Sequence, residues 1–303
     1  MDIYQDLSMI VWIDNINVNE YLKDMTYTKL GGQADYLLKP ITVDQISQIV
    51  RYSNDHNIPI TIIGNGSNLI IRDGGIRGIV ITLQKLNNIS RIDNELIIQA
   101  GVNIKTASKY ALENSLTGFE FACGIPGTIG GGIYMNAGAY GGEFKDIIKS
   151  VLVIDKFGNL INKTNVDLNF DYRYSSIQDT NNIIIGGTFT LKSGIYSDIK
   201  TKMNELTSLR QNKQPLEYPS CGSVFKRPVG YYAGKLIEDS NLQGYRIGGA
   251  EVSKKHAGFI VNIDNATALE YIKLIDVIQE TVKAKFNVNL EREVKIIGED
   301  LSH

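Results

Sequence analysis

The sequence predicts an α+β protein of about two domains, and three observations carry that prediction. Over the first two-thirds, β-branched runs with strand character alternate with segments of helical period. A charged stretch, YSDIKTKMNELTSLRQNK at 196–213, then reads as a solvent-facing connector helix. A second, shorter set of strand and helix patterns follows it. The 303 residues suit such a count. The expected division is an N-terminal segment 1–29 packing on the core, a first domain 30–195 in two parts (about 30–75 and 76–195), and a smaller α+β domain 196–303.

Each element has a local reason. DYLLKP at 35–40 is a short apolar run, and Thr42 with Gln45 fits a capping box opening a helix with Val43, Ile46, Ile49 and Val50 on one face. Asn57 and Pro59 end it, and IPITII is a β-branched strand. Residues 79–83 and 96–100 read as strands, after which Asn103 caps a helix carrying Ile104, Ala107 and Ala111. Strands are expected at 151–154 and 182–191, with a turn at 156–159. In the last third, 223–225 and 258–261 read as strands. Thr267 and Glu270 form a second capping box before a long amphipathic helix through Ile272, Ile275, Ile278 and Val282. The final strand, 288–297, alternates Val288, Leu290, Val294 and Ile296 with Glu291, Glu293 and Lys295.

Composition narrows the function. A net charge of −2 exerts no general pull on nucleic acid or anionic membranes. Two cysteines, Cys123 and Cys221, make neither a disulfide framework nor a metal set, and the three histidines are scattered. The opening MDIYQDLSMIVWID lacks a basic region before its short apolar run, so no secretory leader is expected at its start. No run approaches a membrane span. The expectation is a cytoplasmic protein without metal, membrane insertion or nucleic-acid partner.

The chain's most informative stretch is FACGIPGTIGGGIYMNAGAYGGE at 121–143, with eight glycines among buried-type apolar residues. Such a density suits backbone that bends sharply or approaches a ligand closely. A glycine-lined wall for a large flat ligand such as a flavin and a tightly packed turn region are the two readings it leaves open. Earlier, ITIIGNGSN at 60–68 runs a strand into a glycine loop whose amides suit an anion such as a pyrophosphate. That loop lacks the third glycine and following helix of a dinucleotide fingerprint, so a plain turn stands beside the ligand reading.

Six segments together carry a resemblance: TYTKLGGQADYLLKP at 26–40, GNGSNLI at 64–70, GIPGTIGGGIYMNAGAYGGE at 124–143, YRYSS at 172–176, SCGSVFKRP at 220–228 and LEREVKIIG at 290–298. In this order, over nearly the whole chain, they resemble the UDP-N-acetylenolpyruvoylglucosamine reductases of bacterial cell-wall precursor synthesis. The resemblance implies a two-part FAD-binding domain of the vanillyl-alcohol-oxidase (PCMH) type, followed by a smaller α+β substrate-binding domain. It also implies NADPH-dependent reduction, through FAD, of UDP-N-acetylglucosamine enolpyruvate to UDP-N-acetylmuramate. The absence of histidine from 64–70 favours noncovalent FAD. The short connection 176–183 makes the chain similar to the subtype that lacks a tyrosine-bearing loop, and a monomer is expected.

By motif, Arg173, Ser223 and Glu293 match the family's catalytic arginine, proton-donating serine and catalytic glutamate. Gly64, Asn65, Gly66, Ser67 and Asn68 match one cofactor loop. Gly124, Ile125, Pro126, Gly127, Gly130, Gly131, Asn136, Ala137 and Gly138 match the other. Tyr172, Arg210, Lys213, Lys226 and Arg227 are the candidate substrate contacts. Residue chemistry alone leaves alternatives: a surface stack for Arg173, a charged helix end for Arg210 and Lys213, and Glu291 in place of Glu293. Other functions share only part of this pattern. A flavin oxidase acting on a small alcohol or hydroxy acid shares the two glycine loops but does not need the three catalytic residues together, and a nucleotide-binding module without catalysis is a third reading.

Overall fold

The computed structural model describes residues 2–301, and the chain divides into two compact units. Among the described residues, the first comprises 2–18, Tyr36–Asn65 and Gly78–Arg210; the second comprises Asn19–Asp35, Gly66–Arg77 and 211–301. The boundaries read from sequence follow chain order. The units instead gather remote segments, so 19–35 and 66–77 join the second, and helix Tyr196–Lys213 belongs to the first as far as Arg210.

In the first unit, local signals set the helices. Helix Val43–His56 starts where Thr42 Oγ1 accepts the Gln45 N–H at 3.2 Å and stops at Asn57, whose φ of +54° is left-handed. The Gln45 amide oxygen reaches back to the Ile41 N–H at 2.8 Å, one residue earlier than a capping box requires. Helix Ile104–Glu113 starts at Asn103, which accepts the Lys105 N–H at 2.9 Å. Strands Ile60–Ile63 and Ile76–Thr82 pair in parallel, Ile62 opposite Ile81. A five-stranded antiparallel sheet runs in the order Leu160–Thr164, Ile148–Ile154, Ile183–Thr190, Glu95–Gln99, Ile89–Ile92.

Against that sheet lies the glycine stretch. Its centre is a six-residue helix, Ile129–Tyr134, with three glycines in it. Glycine here normally costs up to about 1 kcal/mol per residue relative to alanine. Two of the three are required by packing. A Cβ on Gly132 would lie 2.6 Å from the Phe144 ring, and one on Gly130 would lie 3.0 Å from Ala100 Cβ. Beneath them Phe119, Phe144 and Phe189 are fully buried, with ring centroids 5.4–5.7 Å apart. Burying such a ring contributes about 1.5–3 kcal/mol.

The second unit has its own core around Tyr271, Leu274, Ile275 and Ile278 of helix Ala268–Phe286. The Thr267–Glu270 capping box forms as expected: the Glu270 N–H donates to Thr267 Oγ1 at 3.1 Å and the Thr267 N–H to Glu270 Oε2 at 2.9 Å. The Asp73 carboxylate takes the next two amides, of Ala268 at 2.8 Å and Leu269 at 3.0 Å. This helix packs with a four-stranded antiparallel sheet ordered Ser220–Ser223, Phe259–Asn262, Ala250–Val252, Arg246–Ile247. The expected strand at 288–297 is shorter, Lys295–Ile297, and pairs in parallel with Leu69–Ile71. The chain before it pairs elsewhere, through a bridge between Arg292 and Phe225.

Candidate active site

The two glycine segments meet in the first unit. A Cβ on Gly64 would lie 2.6 Å from Oγ1 of Thr128, the residue that caps the glycine helix. Asn65 follows, its side-chain oxygen accepting from Gln84 at 3.3 Å. The remainder of the loop belongs to the second unit. There Gly66 has a φ of +59° and is buried, and a Cβ on it would overlap the Met25 carbonyl oxygen and lie 2.7 Å from Thr26 Cα. The Asn68 side chain donates to the Glu293 carbonyl at 3.2 Å, and the Lys295 N–H donates to the Asn68 carbonyl at 3.1 Å. Ser67 is half-buried and engaged within the protein.

Several glycines are thus explained by the protein's own packing, and one is not. Gly124 leaves room for Arg210, whose Cδ a Cβ would approach to 2.8 Å; Gly138 leaves room for Glu143 Cγ at 2.7 Å. Gly127, at φ +126°, turns the chain so that its carbonyl accepts the Ile104 N–H at 3.0 Å. Gly131 is exposed, lies in a helix, and a Cβ there would meet only Thr128 Oγ1 at 3.6 Å, an ordinary contact. Among the described residues, neither conformation nor packing requires glycine at 131. Nearby, Thr82 ends the strand paired with Ile63, directly before Gly64, and its hydroxyl is buried with no partner. A bare helix surface and an unanswered hydroxyl beside the loop fit a cofactor such as FAD.

Asn136 departs from the cofactor role expected of it. It is fully buried with a φ of +42°, and its side chain is used within the protein. Nδ2 donates to Glu143 Oε2 and to the Asp171 carbonyl, both at 2.9 Å; Oδ1 accepts the Lys145 N–H at 3.0 Å. No donor remains for a ligand, so Asn136 braces the Asp171 turn. Ile125 and Ala137 are also tied by backbone: the Ile125 N–H to the Ala122 carbonyl at 3.0 Å, the Ala137 N–H to the Gly132 carbonyl at 2.8 Å. Pro126 is half-buried.

That turn presents Arg173. Asp171 and Tyr174 exchange backbone hydrogen bonds at 3.1 Å in both directions. Arg173, inside the turn, has a φ of +56°. A non-glycine residue held there costs of order 1–3 kcal/mol, and such strain collects where structure serves function. The guanidinium donates to the Gly138 carbonyl at 3.1 Å and lies 5.1 Å from the Tyr172 ring centre. Tyr172 is exposed.

In the second unit, Ser223 ends a strand paired with Phe259, and the chain just after it bonds to the segment that carries Glu293. The Glu293 N–H donates to the Val224 carbonyl at 2.8 Å, and the Lys226 N–H donates to the Glu291 carbonyl at 2.8 Å. Ser223 is exposed and follows Gly222, whose φ is +78°. The two glutamates separate clearly. Glu291 is exposed and ion-paired to Lys226, whereas Glu293 is half-buried and sits opposite Val224. Cys221, two residues from Ser223, points into the core with its thiol 3.3 Å from the Tyr271 hydroxyl. Burial pushes that thiol up to about 11, so it is neutral and no nucleophile near pH 7. Burial likewise lowers the His256 value, and its Nδ1 accepts the Gly258 N–H at 3.1 Å.

The candidate substrate cations fall into different settings. Arg210 packs on Gly124, and its charge opposes the burial-driven rise of the Tyr140 phenol. Lys213 is exposed at the helix end, Lys226 is taken by Glu291, and Arg227 lies 4.1 Å from the Tyr232 ring centre. Sequence reasoning missed Gln178. Its amide donates to the Tyr134 carbonyl at 2.8 Å and the Arg173 carbonyl at 3.1 Å. Only its nearness to the YRYSS motif could have drawn attention to it.

The chain matches two families in succession: an FAD binding domain over residues 34–163, and the C-terminal domain of UDP-N-acetylenolpyruvoylglucosamine reductase over residues 214–297. A reductase of that name from Oceanobacillus iheyensis is 57% identical over 298 residues, 98% of this chain and 97% of the relative. Those from Staphylococcus haemolyticus and Staphylococcus aureus are 55% and 54% identical over the same shares. Among solved structures, UDP-N-acetylenolpyruvylglucosamine reductase from Thermus caldophilus is 30% identical with a TM-score of 0.81, covering 93% of this chain and 99% of that one.

Proposed function

This chain belongs to the UDP-N-acetylenolpyruvoylglucosamine reductase family, and from that premise we propose how its residues divide the reaction. It is an FAD-containing oxidoreductase of peptidoglycan precursor synthesis, reducing the enolpyruvyl group of UDP-N-acetylglucosamine enolpyruvate to UDP-N-acetylmuramate with NADPH. When bound, FAD would supply the hydride chemistry that links NADPH to the vinyl carbon of the enolpyruvyl ether. The chain's part is to hold the reactants, to stabilise charge and to supply a proton.

The 64–68 loop and the glycine helix at Gly131 hold the cofactor noncovalently, and filtration of the denatured protein should release all of its flavin. Arg173 grips the substrate carboxylate, where negative charge gathers as hydride arrives; a guanidinium keeps its charge and can make two parallel bonds to it. Ser223 gives its hydroxyl proton to the carbon next to the one that received hydride. Glu293, in its protonated form, stabilises the enolate with a hydrogen bond. Arg210, Lys213 and Arg227 are assigned to the diphosphate, and the second unit is taken as the substrate-binding domain.

The observation that supports this assignment is the backbone bond from the Glu293 N–H to the carbonyl of Val224, the residue after Ser223, while Glu291 is ion-paired to Lys226. The test is an anaerobic titration. The yellow holoenzyme should bleach with NADPH and recover its colour only when the enolpyruvyl nucleotide is added. Recovery with simple alcohols or hydroxy acids, or no bleaching at all, would defeat the reading. No described helix is long and apolar enough to cross a membrane. We place the protein in the cytoplasm as a monomer, which light scattering on the purified holoenzyme tests directly.

A further inference from the structure

The strained turn that carries Arg173 is held from both ends by side chains that reach from elsewhere in the first unit. At one end Asn136 donates to the Asp171 carbonyl at 2.9 Å. At the other, the Gln178 amide spans two carbonyls, 3.1 Å to Arg173 and 2.8 Å to Tyr134, the last residue of the glycine helix. Ser175 adds a bond from its hydroxyl to the same Tyr134 carbonyl at 2.9 Å. A left-handed residue persists only when its surroundings over-determine it. These bonds supply that determination, and they tie it to the helix that carries Gly131.

We propose that Gln178 is a positioning residue for catalysis: its amide clamps the Arg173 carbonyl to the C-terminal end of the glycine helix, and so fixes where the guanidinium stands. The inference rests on the reading of Arg173 as the group that grips the substrate carboxylate. The chemistry is specific to an amide. One –NH2 group has two protons and can answer two carbonyls at once, which a hydroxyl or a carboxylate cannot. Gln178→Leu keeps the bulk and removes both donors. Gln178→Glu keeps the shape and places an acceptor against two acceptors. In either variant the turn can relax out of its left-handed conformation, and the guanidinium moves with it. A displacement of about 1 Å costs on the order of 10²-fold in rate.

The experiment is anaerobic stopped-flow on the FAD-loaded full chain, with each half-reaction read separately at the flavin band. For Gln178→Leu and Gln178→Glu, flavin content and reduction by NADPH should stay within about two-fold of the parent. Reoxidation by UDP-N-acetylglucosamine enolpyruvate should slow at least ten-fold. The Glu variant should recover part of its rate as pH falls and its carboxyl gains a proton to donate. In an Arg173→Lys background, the Gln178 substitutions should add little further slowing, because they act through Arg173. Equal slowing of both half-reactions, or full additivity with Arg173→Lys, overturns the clamp while leaving Arg173 in place. No effect of Arg173→Lys on reoxidation removes the underlying reading of Arg173, and the clamp with it. If Gln178→Leu does not fold, the near-isosteric Glu variant carries the same comparison.

Discussion

In the loop at 64–68, a Cβ on Gly66 overlaps the Met25 carbonyl and φ is +59°; in helix Ile129–Tyr134, a Cβ on Gly131 meets only Thr128 Oγ1 at 3.6 Å. Both glycines sit in motifs that invite the same sentence, that the backbone must come close to a ligand. For Gly66 the close neighbour is the protein itself. For Gly131 no described residue stands close enough to exclude a side chain. Glycine density marks where backbone is crowded, but only packing says by what.

The largest effect should follow from breaking the first half of that contrast. Gly66→Val puts a β-branched residue at positive φ against backbone that cannot give way, and should cost about 3 kcal/mol or more. Urea denaturation of the cofactor-free variant should show this loss before any flavin is added. Unchanged stability there would mean that Gly66, like Gly131, is kept for the cofactor.

Cys221 and Ser223 repeat the contrast within one strand. Residues two apart share a face of a regular strand, yet a register irregularity lies between Ser220 and Ser223, and the cysteine is buried while the serine is exposed. Ser223→Ala should leave NADPH reduction of the flavin near the parent rate and slow reoxidation by about 10²-fold, the usual scale for a positioned acid. Equal slowing of both half-reactions would give Ser223 a structural role instead. Cys221 should matter only to stability. Its thiol is raised from about 9 to about 11 by burial, so the folded state favours the neutral form. That contribution is complete below pH 9 and is lost as pH rises from 9 towards 11, at about 1.4 kcal/mol per pH unit. Denaturation of the parent and Cys221→Ala between pH 8 and 10 should show a steeper decline in the parent. Parallel slopes would contradict it.

What the sequence made legible follows range of interaction. Helices Ile104–Glu113 and Ala268–Phe286 start on capping side chains one to three residues away, and those starts were readable, as was the stretch of helix Tyr196–Lys213. Strand Leu160–Thr164 was not, because it is an edge strand with little burial and no apolar alternation. The C-terminal alternation was real in burial, since Leu290 and Val294 are both buried, but its pairing was split between two remote partners. In the candidate site, Arg173, Ser223 and Glu293 were singled out through six ordered motifs. The braces were not: Asn136 and Gln178 act on backbone 35 and 44 residues away, and a polar residue meeting a carbonyl leaves no periodic trace.

The smallest expected change in stability makes the most direct test. Gly131→Leu replaces an exposed helical glycine by a good helix former, so the cofactor-free protein should be unchanged or more stable by up to about 1 kcal/mol. The same side chain would stand where the cofactor must approach. Measured by flavin fluorescence quenching alongside urea denaturation of the cofactor-free protein, FAD affinity should fall at least ten-fold while stability holds. Undiminished FAD affinity in a stably folded Gly131→Leu protein would contradict the claim that this helix surface is bare for the flavin.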